Sequence, residues 1–224
     1  MTGLIDHVHE IQTRVRVACE ACDRSAEDVE ILPISKRQPV SLIREAGELG
    51  FDRFGENYVQ EGSAKALELP HLSFALTGPL QRNKAKPALQ AFQEIYSLDR
   101  PELATRLRHL AEELDLVRKV WIQIDLWGEA TKIGGCLEED LPALVTALGD
   151  DPRLPLQGFM AIPPPGVPEA FAAVTRLREA WRDRLGLPLR ISMGMSDDLE
   201  AAIAAGSDQV RIGTAFFGSR PMIP

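Results

Sequence analysis

Apolar residues recur every three or four positions across residues 3–22 (Leu4, Ile5, Val8, Ile11, Val15, Ala18). That spacing gives a helix one buried face. The period then changes. Val29-Glu30-Ile31-Leu32-Pro33-Ile34-Ser35 is a short apolar run suited to a buried strand. Pro33 has no N–H to donate, so it must sit where the ladder is unpaired or bulged. Helical and extended stretches alternate from there: helix 41–49 ending at Gly50, strand 51–54, helix 57–68, strand 72–77, helix 82–91 and strand 94–98. A helix opening on Pro101 runs to Leu114, followed by strand 119–126, helix 137–148, strand 156–162, helix 167–185, strand 189–193, helix 196–205 closed by Gly206, and strand 209–212. Proline in a first turn and glycine just past a last turn are the usual helix boundaries. The fifth strand is the clearest, with Val120, Ile122 and Ile124 on one face and Trp121 and Gln123 on the other.

Eight strands separated by helices predict a parallel sheet covered by helices, and eight such units close into a (β/α)8 barrel, here with an extra N-terminal helix. The rival is an open doubly wound sheet, which carries a glycine-rich loop after its first strand. Neither G-x-G-x-x-G nor G-x-x-x-x-G-K-[ST] occurs. No linker, low-complexity tract or short repeat divides the chain, so residues 1–224 read as one domain. The stiff segment Pro163-Pro164-Pro165-Gly166-Val167-Pro168 reads as a loop between the sixth strand and its helix.

Composition narrows the function. The chain is 45% hydrophobic and 26% charged with a net charge of −8. That balance argues against nucleic-acid binding, which uses a basic stripe, and means that any bound anion is held by local donors. No run of about 18 apolar residues predicts a membrane span. The first ten residues lack the basic and apolar regions of a signal peptide. Three cysteines, an odd number, do not suggest a disulfide framework. The expected location is the reducing cytoplasm.

In a barrel of this kind chemistry sits at the C-terminal ends of the strands. Lys36 follows strand one directly, and a lysine at a barrel mouth can form a Schiff base with a carbonyl if its pKa is depressed, to which Arg37 would contribute. The plain alternative is a solvated lysine. Ser192-Met193-Gly194-Met195-Ser196 follows strand seven and Gly213-Thr214 follows strand eight. Barrels frequently bind phosphate at these two loops through backbone N–H groups and hydroxyls. Ser196-Asp197-Asp198 also reads as a helix cap, and its acidic pair favours the upstream serine and glycine as the phosphate donors. Arg211, inside strand eight, is costly to bury without a role; an ion pair is the alternative. Asn57, after strand two, is a site residue or the cap of the next helix. Cys19 and Cys22 lie in the first helix rather than after a strand, which fails the redox context, and His7 and His9 are too far along it to share a zinc ion with them. Cys136 reads as a small buried apolar residue.

These residues, taken together, resemble the pyridoxal phosphate homeostasis proteins. Ile34-Ser35-Lys36 is similar to the family's Schiff-base motif, and Phe54-Gly55-Glu56-Asn57-Tyr58-Val59-Gln60-Glu61 to its most recognisable block. Gly78-Pro79-Leu80-Gln81-Arg82-Asn83-Lys84, Gly128-Glu129-Ala130-Thr131-Lys132-Ile133-Gly134, Gly158-Phe159-Met160-Ala161-Ile162, Ser192-Met193-Gly194-Met195-Ser196-Asp197-Asp198 and Val210-Arg211-Ile212-Gly213-Thr214-Ala215-Phe216-Phe217-Gly218 follow in family order over nearly the whole chain. The resemblance implies the barrel of fold-type III pyridoxal 5′-phosphate (PLP) proteins, shared with the N-terminal domain of alanine racemases. It implies that Lys36 carries the cofactor, that Ser192, Gly213 and Thr214 hold its phosphate, that Arg211 faces the pyridine nitrogen, and that Asn57 lines the site near the ring.

An arginine keeps its proton, so it can donate to the ring nitrogen but will not protonate it, and a neutral pyridine is the poorer electron sink. Racemases of the family take a second base, a tyrosine, from an added C-terminal β domain. The chain ends at Pro224, soon after strand eight, and is expected to lack that domain; its tyrosines are Tyr58 and Tyr96. The expectation is therefore a cytoplasmic, monomeric PLP carrier that maintains the PLP and vitamin B6 pool, passes the cofactor to PLP-dependent apoenzymes, and has no strong catalysis of its own. It is not expected to bind metal, nucleic acid or membrane. One alternative is a weak PLP-dependent amino-acid racemase. Another is a barrel for a different phosphorylated metabolite, with Lys36 as a plain phosphate cation. The chain departs from the family at Ala75, where a histidine is usual, at Tyr96 for a second histidine, at Asp125 for asparagine, and at Trp127 for a small residue. Lys84 and Lys132 are candidate rim cations for a second, transient PLP.

Overall fold

The computed structural model describes residues 3–128 and 134–218. Its strands are β1 (Glu30–Pro33), β2 (Arg53–Glu56), β3 (Ser73–Leu76), β4 (Glu94–Leu98), β5 (Lys119–Ile124), β6 (Leu156–Ala161), β7 (Arg190–Ser192) and β8 (Gln209–Ile212). Helices alternate with them: α1 (Leu4–Glu20), α2 (Val40–Glu48), α3 (Val59–Glu68), α4 (Ala85–Ala91), α5 (Pro101–Leu114), α6 (Leu141–Leu148), α7 (Pro168–Leu185), α8 (Leu199–Ala204) and the single turn α9 (Thr214–Phe217). All strands are parallel, in the order β1-β8-β7-β6-β5-β4-β3-β2. The expected (β/α)8 barrel is therefore the observed one.

The seam between β1 and β2 is where closure is thinnest, and Pro33 explains it. Successive N–H groups of a strand point to opposite neighbours. That of Ile34 reaches Ile212 O of β8 at 2.8 Å, and that of Ser35 reaches Gly55 O of β2 at 2.8 Å. Pro33 would point at β2, and only the single Ile34–Gly55 bridge joins these strands. The missing donor thus falls where no ladder bond is needed, as its sequence position predicts.

The barrel interior is packed. Leu32, Ile34, Ala75, Tyr96, Trp121 and Met160 form one buried cluster in the lumen, separate from the larger core between sheet and helices. Tyr96 and Trp121 stack with ring centroids 4.8 Å apart, and Trp121 Nε1 donates to Glu94 Oε2 at 3.0 Å. Below them, at the strands' N-terminal ends, Arg53 pairs with both Glu30 and Glu94. These ion pairs border a second cleft, of about 480 Å³, at that end of the barrel. Outside the sheet, α1 buries Leu4, Val8, Ile11, Val15 and Ala18 against α8 and α9, and Arg14 pairs with Glu200 at 2.7 Å.

Several boundaries differ from expectation; the helices expected at 82–91 and 137–148 begin at Ala85 and Leu141, each after a short 3-10 turn. Strand two is expected at 51–54 and lies at Arg53–Glu56; Phe51 precedes it and packs edge-on against Phe216 at 4.8 Å, and the polar Glu56 at its end is buried. Helix 196–205 begins only at Leu199. Ile5 sits on the exposed face of α1 rather than the buried one. No helix among the described residues is long and apolar enough to cross a membrane.

Candidate active-site cleft at the barrel mouth

A cleft of about 490 Å³ opens at the C-terminal ends of the strands and draws its lining from β1, β2, β3, β6, β7 and β8 or the turns that follow them. Lys36, Asn57, Arg211, Gly213 and Thr214 all line it, so the structure brings together five of the six site residues picked out in the sequence.

Ser192 is the sixth, and it lies elsewhere. It is fully buried; its hydroxyl donates to Gln209 Oε1 at 2.7 Å and takes a hydrogen bond from Arg211 at 3.0 Å. The serine at the cleft surface is Ser196. The reason is local. Gly194 sits at φ +96°, where an added Cβ would come within 2.5 Å of Ala202, and its sharp turn carries residues 195–197 over the opening. Asp198, not Ser196, is the N-cap residue of α8, and Asp198 Oδ1 instead accepts from Met195 N at 2.6 Å. Ser196 is thereby released from the capping role the sequence allowed it.

Arg211 forms the floor. Its guanidinium donates to Ser192 O at 2.6 Å, Ser192 Oγ at 3.0 Å and Ala161 O at 2.8 Å. Three of the five donors of an arginine are so engaged, and the side chain still borders the cleft. No carboxylate pairs with it among the described residues, so the ion-pair alternative does not hold. Burial lowers its pKa to about 10, which still leaves it a cation at neutral pH. Behind it a directional chain runs from Ser192 to Gln209, whose Nε2 donates to the Tyr96 hydroxyl at 3.1 Å. Burial raises the pKa of Tyr96, so this phenol stays protonated and holds its place in the chain.

Asn57 is not a helix cap. The N-cap residue of α3 is Tyr58, which makes no side-chain cap bond, and Asn57 Oδ1 lies 3.2 Å from Thr77 Oγ1. Gly78 backs it closely: a Cβ there would stand 2.2 Å from Asn57 O. Gly78→Ala is accordingly expected to cost about 2 kcal/mol, as overpacking does, in urea unfolding. A loss within about 0.5 kcal/mol, the range of a neutral surface change, would mean that this contact does not set the position of Asn57.

The turn that carries Lys36 rests on residues the sequence reading passed over. Ser35 Oγ donates to Glu56 Oε1 at 2.7 Å, and Lys65 Nζ reaches Glu56 at 2.6 Å and Glu61 at 2.7 Å. Burial raises the pKa of Glu56, opposed by Lys65. The signal available was the Glu61/Lys65 spacing of four on a helix; nothing local shows that Glu56 turns inward.

Other candidates fall away from the cleft. Lys84 ends a short 3-10 turn and is not among the lining residues, and Lys132 lies outside the described residues. Ala75 packs in the lumen. Asp125 caps its own loop, accepting from the Trp127 and Gly128 amides at 3.0 and 3.1 Å. Cys19 and Cys136 are buried, and burial pushes the Cys136 thiol up to about 12. No cluster of histidine, cysteine or acidic residues suited to a metal occurs among the described residues.

Known proteins resemble this chain over nearly its full length. The family model of the alanine racemase N-terminal domain matches residues 7–221. The pyridoxal phosphate homeostasis protein of Pseudomonas aeruginosa is 43% identical, covering 98% of this chain and 97% of the relative. That of Escherichia coli is 39% identical, covering 98% of each. Among solved structures, PipY of Synechococcus elongatus with PLP bound superposes with a TM-score of 0.79 at 36% identity, over 85% of this chain and 93% of that one. An alanine racemase of Clostridium difficile shares the fold at a TM-score of 0.74 and 16% identity, covering 98% of this chain but 57% of its own. A family model spanning residues 7–221 and relatives 39% and 43% identical over nearly the full length place this chain in the pyridoxal phosphate homeostasis protein family, within the wider alanine racemase N-terminal domain family.

Proposed function

We propose that the protein binds PLP in this cleft through a Schiff base on Lys36 and serves as a carrier that maintains the PLP pool. The observation that carries the reading is the placement of three unlike groups around one cleft: an amine at the end of β1, a buried guanidinium on the floor, and small residues after β7 and β8. These match an aldehyde, a ring nitrogen and a phosphate. The PLP-bound PipY structure supports the ligand, and the names of the relatives support homeostasis.

In this reading Gly213, Thr214 and Ser196 face the phosphate, Asn57 lies beside the ring, and Ser192 acts one layer below by orienting Arg211. PLP, when bound, supplies an electron-accepting ring conjugated to its imine carbon. Arg211 donates toward the ring nitrogen and keeps its own proton, which holds that nitrogen neutral and weakens the electron sink. A racemase needs proton-transferring groups on both faces of its substrate. The tyrosine best placed by depth, Tyr96, is buried in the lumen and bonded to Gln209 rather than lining the cleft. Carriage in the cytoplasm and delivery to PLP-dependent apoenzymes follow better from such a site than turnover does.

The test is the absorbance of the purified protein with PLP, then borohydride reduction and peptide mapping. A visible Schiff-base band, fixed by reduction onto the peptide holding Lys36, is expected. A protein that stays colourless with added PLP, or an adduct mapped to another lysine, overturns the assignment. Clear D-alanine formation from L-alanine would turn the carrier into a racemase.

A further inference from the structure

We propose that Lys65 is a positioning residue that clamps the turn bearing Lys36, so that the amine is presented at one place in the cleft. The inference rests on the reading of Lys36 given above.

A lysine side chain is long and rotates about four bonds, so a Schiff base forms readily only if the backbone that carries it is held. Lys36 lies beyond the last residue of β1, and the last backbone bond toward β2, Ser35 N–H to Gly55 O at 2.8 Å, falls one residue before it. Something else must fix it. Ser35 O takes Gln38 N at 3.0 Å and also Lys65 Nζ at 2.7 Å. On the other flank, Arg37 N donates to Glu61 Oε1 at 2.5 Å, and that same oxygen takes Lys65 Nζ at 2.7 Å. One ammonium therefore ties the carbonyl before Lys36 directly and the N–H after it through Glu61.

Lys65 has no donor to spare for another task. An ammonium has three N–H groups, and these meet Ser35 O, Glu56 Oε1 and Glu61 Oε1. The side chain is buried, and Glu56 completes the cage by also accepting from Ser35 Oγ. The turn needs such restraint, because Arg37 sits at φ +59°, a left-handed conformation that a side chain with a Cβ disfavours. Glu61 holds its N–H there. A buried ion pair that served stability alone would not require one of its acceptors to be the carbonyl before Lys36 and another, Glu61, to take the N–H after it.

Two variants test the clamp. Lys65→Met removes the centre. Glu61→Ala is the milder change, because Glu61 is partly exposed and Lys65 keeps Glu56 as partner. The first readout needs no cofactor: amide hydrogen exchange at Arg37, against the Ile122 amide of the barrel as control. Exchange about tenfold faster at Arg37 in both variants is expected, on the scale of one lost hydrogen bond to a charged group, with Ile122 unchanged. The second readout compares dissociation constants for PLP and for pyridoxine 5′-phosphate, which fits the same cleft but has no aldehyde. PLP is expected to bind about tenfold more weakly, on the same scale, while the alcohol is held as in the parent.

Unchanged exchange at Arg37 in Glu61→Ala overturns the clamp, whether or not Lys65→Met folds. Equal losses for both ligands overturn the positioning role and leave Lys65 a structural residue. If the parent itself forms no Schiff base, the reading of Lys36 fails instead, and exchange at Arg37 still decides the clamp.

Discussion

Replacing Lys36 with alanine is expected to yield a folded protein that loses PLP on dialysis. The side chain stands half-buried at the cleft edge and belongs to neither apolar cluster, so its removal takes little from the core. Stability should stay within about 0.5 kcal/mol of the parent, as for surface changes generally. Binding should fall by a factor on the order of 100, because the covalent link and the favourable placement of the amine are lost together. What remains is the grip of Arg211 and of the turns after β7 and β8 on the rest of the cofactor. Equilibrium dialysis with absorbance reads both the affinity and the band. A variant that keeps a reducible visible band would show that another lysine carries the group. A variant that binds PLP as tightly as the parent, without a band, would show that the protein recognises the cofactor with no covalent bond.

Trp121→Ala should produce the largest loss of stability in the molecule. The indole is almost fully buried in the lumen, stacks on Tyr96 at 4.8 Å, and gives its N–H to Glu94. Truncating a buried tryptophan costs about 4 kcal/mol. For a chain of this size each kcal/mol lowers Tm by about 2–4 °C, so a drop of roughly 8–16 °C is expected. Trp121→Phe helps separate the causes, because it keeps a stacked ring while losing the hydrogen bond, at about 1–2 kcal/mol, and part of the indole's volume. Equal Tm drops in the two variants would place the stabilisation in the Glu94 bond rather than in the packing. The effect should also reach the cleft, since Tyr96 anchors Gln209, Gln209 holds Ser192, and Ser192 holds Arg211.

The barrel carries ion pairs at one end and aromatic rings packed along its axis. The two groups proposed to meet the cofactor stand on two supports. Arg211 rests on a hydrogen-bonded chain through the lumen. Lys36 rests on a buried cluster outside the β1–β2 seam. For the proposed carrier, an amine whose position is set by a network rather than by direct burial would suit both holding and releasing a reactive aldehyde.

Much of this was legible without coordinates. Alternating periods of 3.6 and 2 announced eight strand–helix units, and Pro33 marked the seam, because a missing N–H restricts a residue wherever the chain folds. Lys36, Asn57, Arg211, Gly213 and Thr214 could be placed at the cleft because each falls at or just after a strand end, where a barrel puts its site. Ser192 could not be told from Ser196. Both follow strand seven in small polar surroundings, and only the turn at Gly194 decides which hydroxyl faces the cleft and which lies under Arg211. Strand two was misplaced because Phe51 has the character of a core strand residue, and its ring does pack against the core at Phe216, but from just ahead of the strand.

The chain alone determined the architecture and the positions of the groups that can meet a cofactor, since both follow from local periodicity and from the order of strands. Tertiary structure alone decided what holds those groups in place. Glu56 lies on β2 and Lys65 on α3, and Tyr96, Gln209 and Ser192 come from three different strands. Burying a charge or a phenol is tolerable only when a partner arrives from a distant part of the chain, and such partnerships leave no trace in the pattern of neighbouring residues.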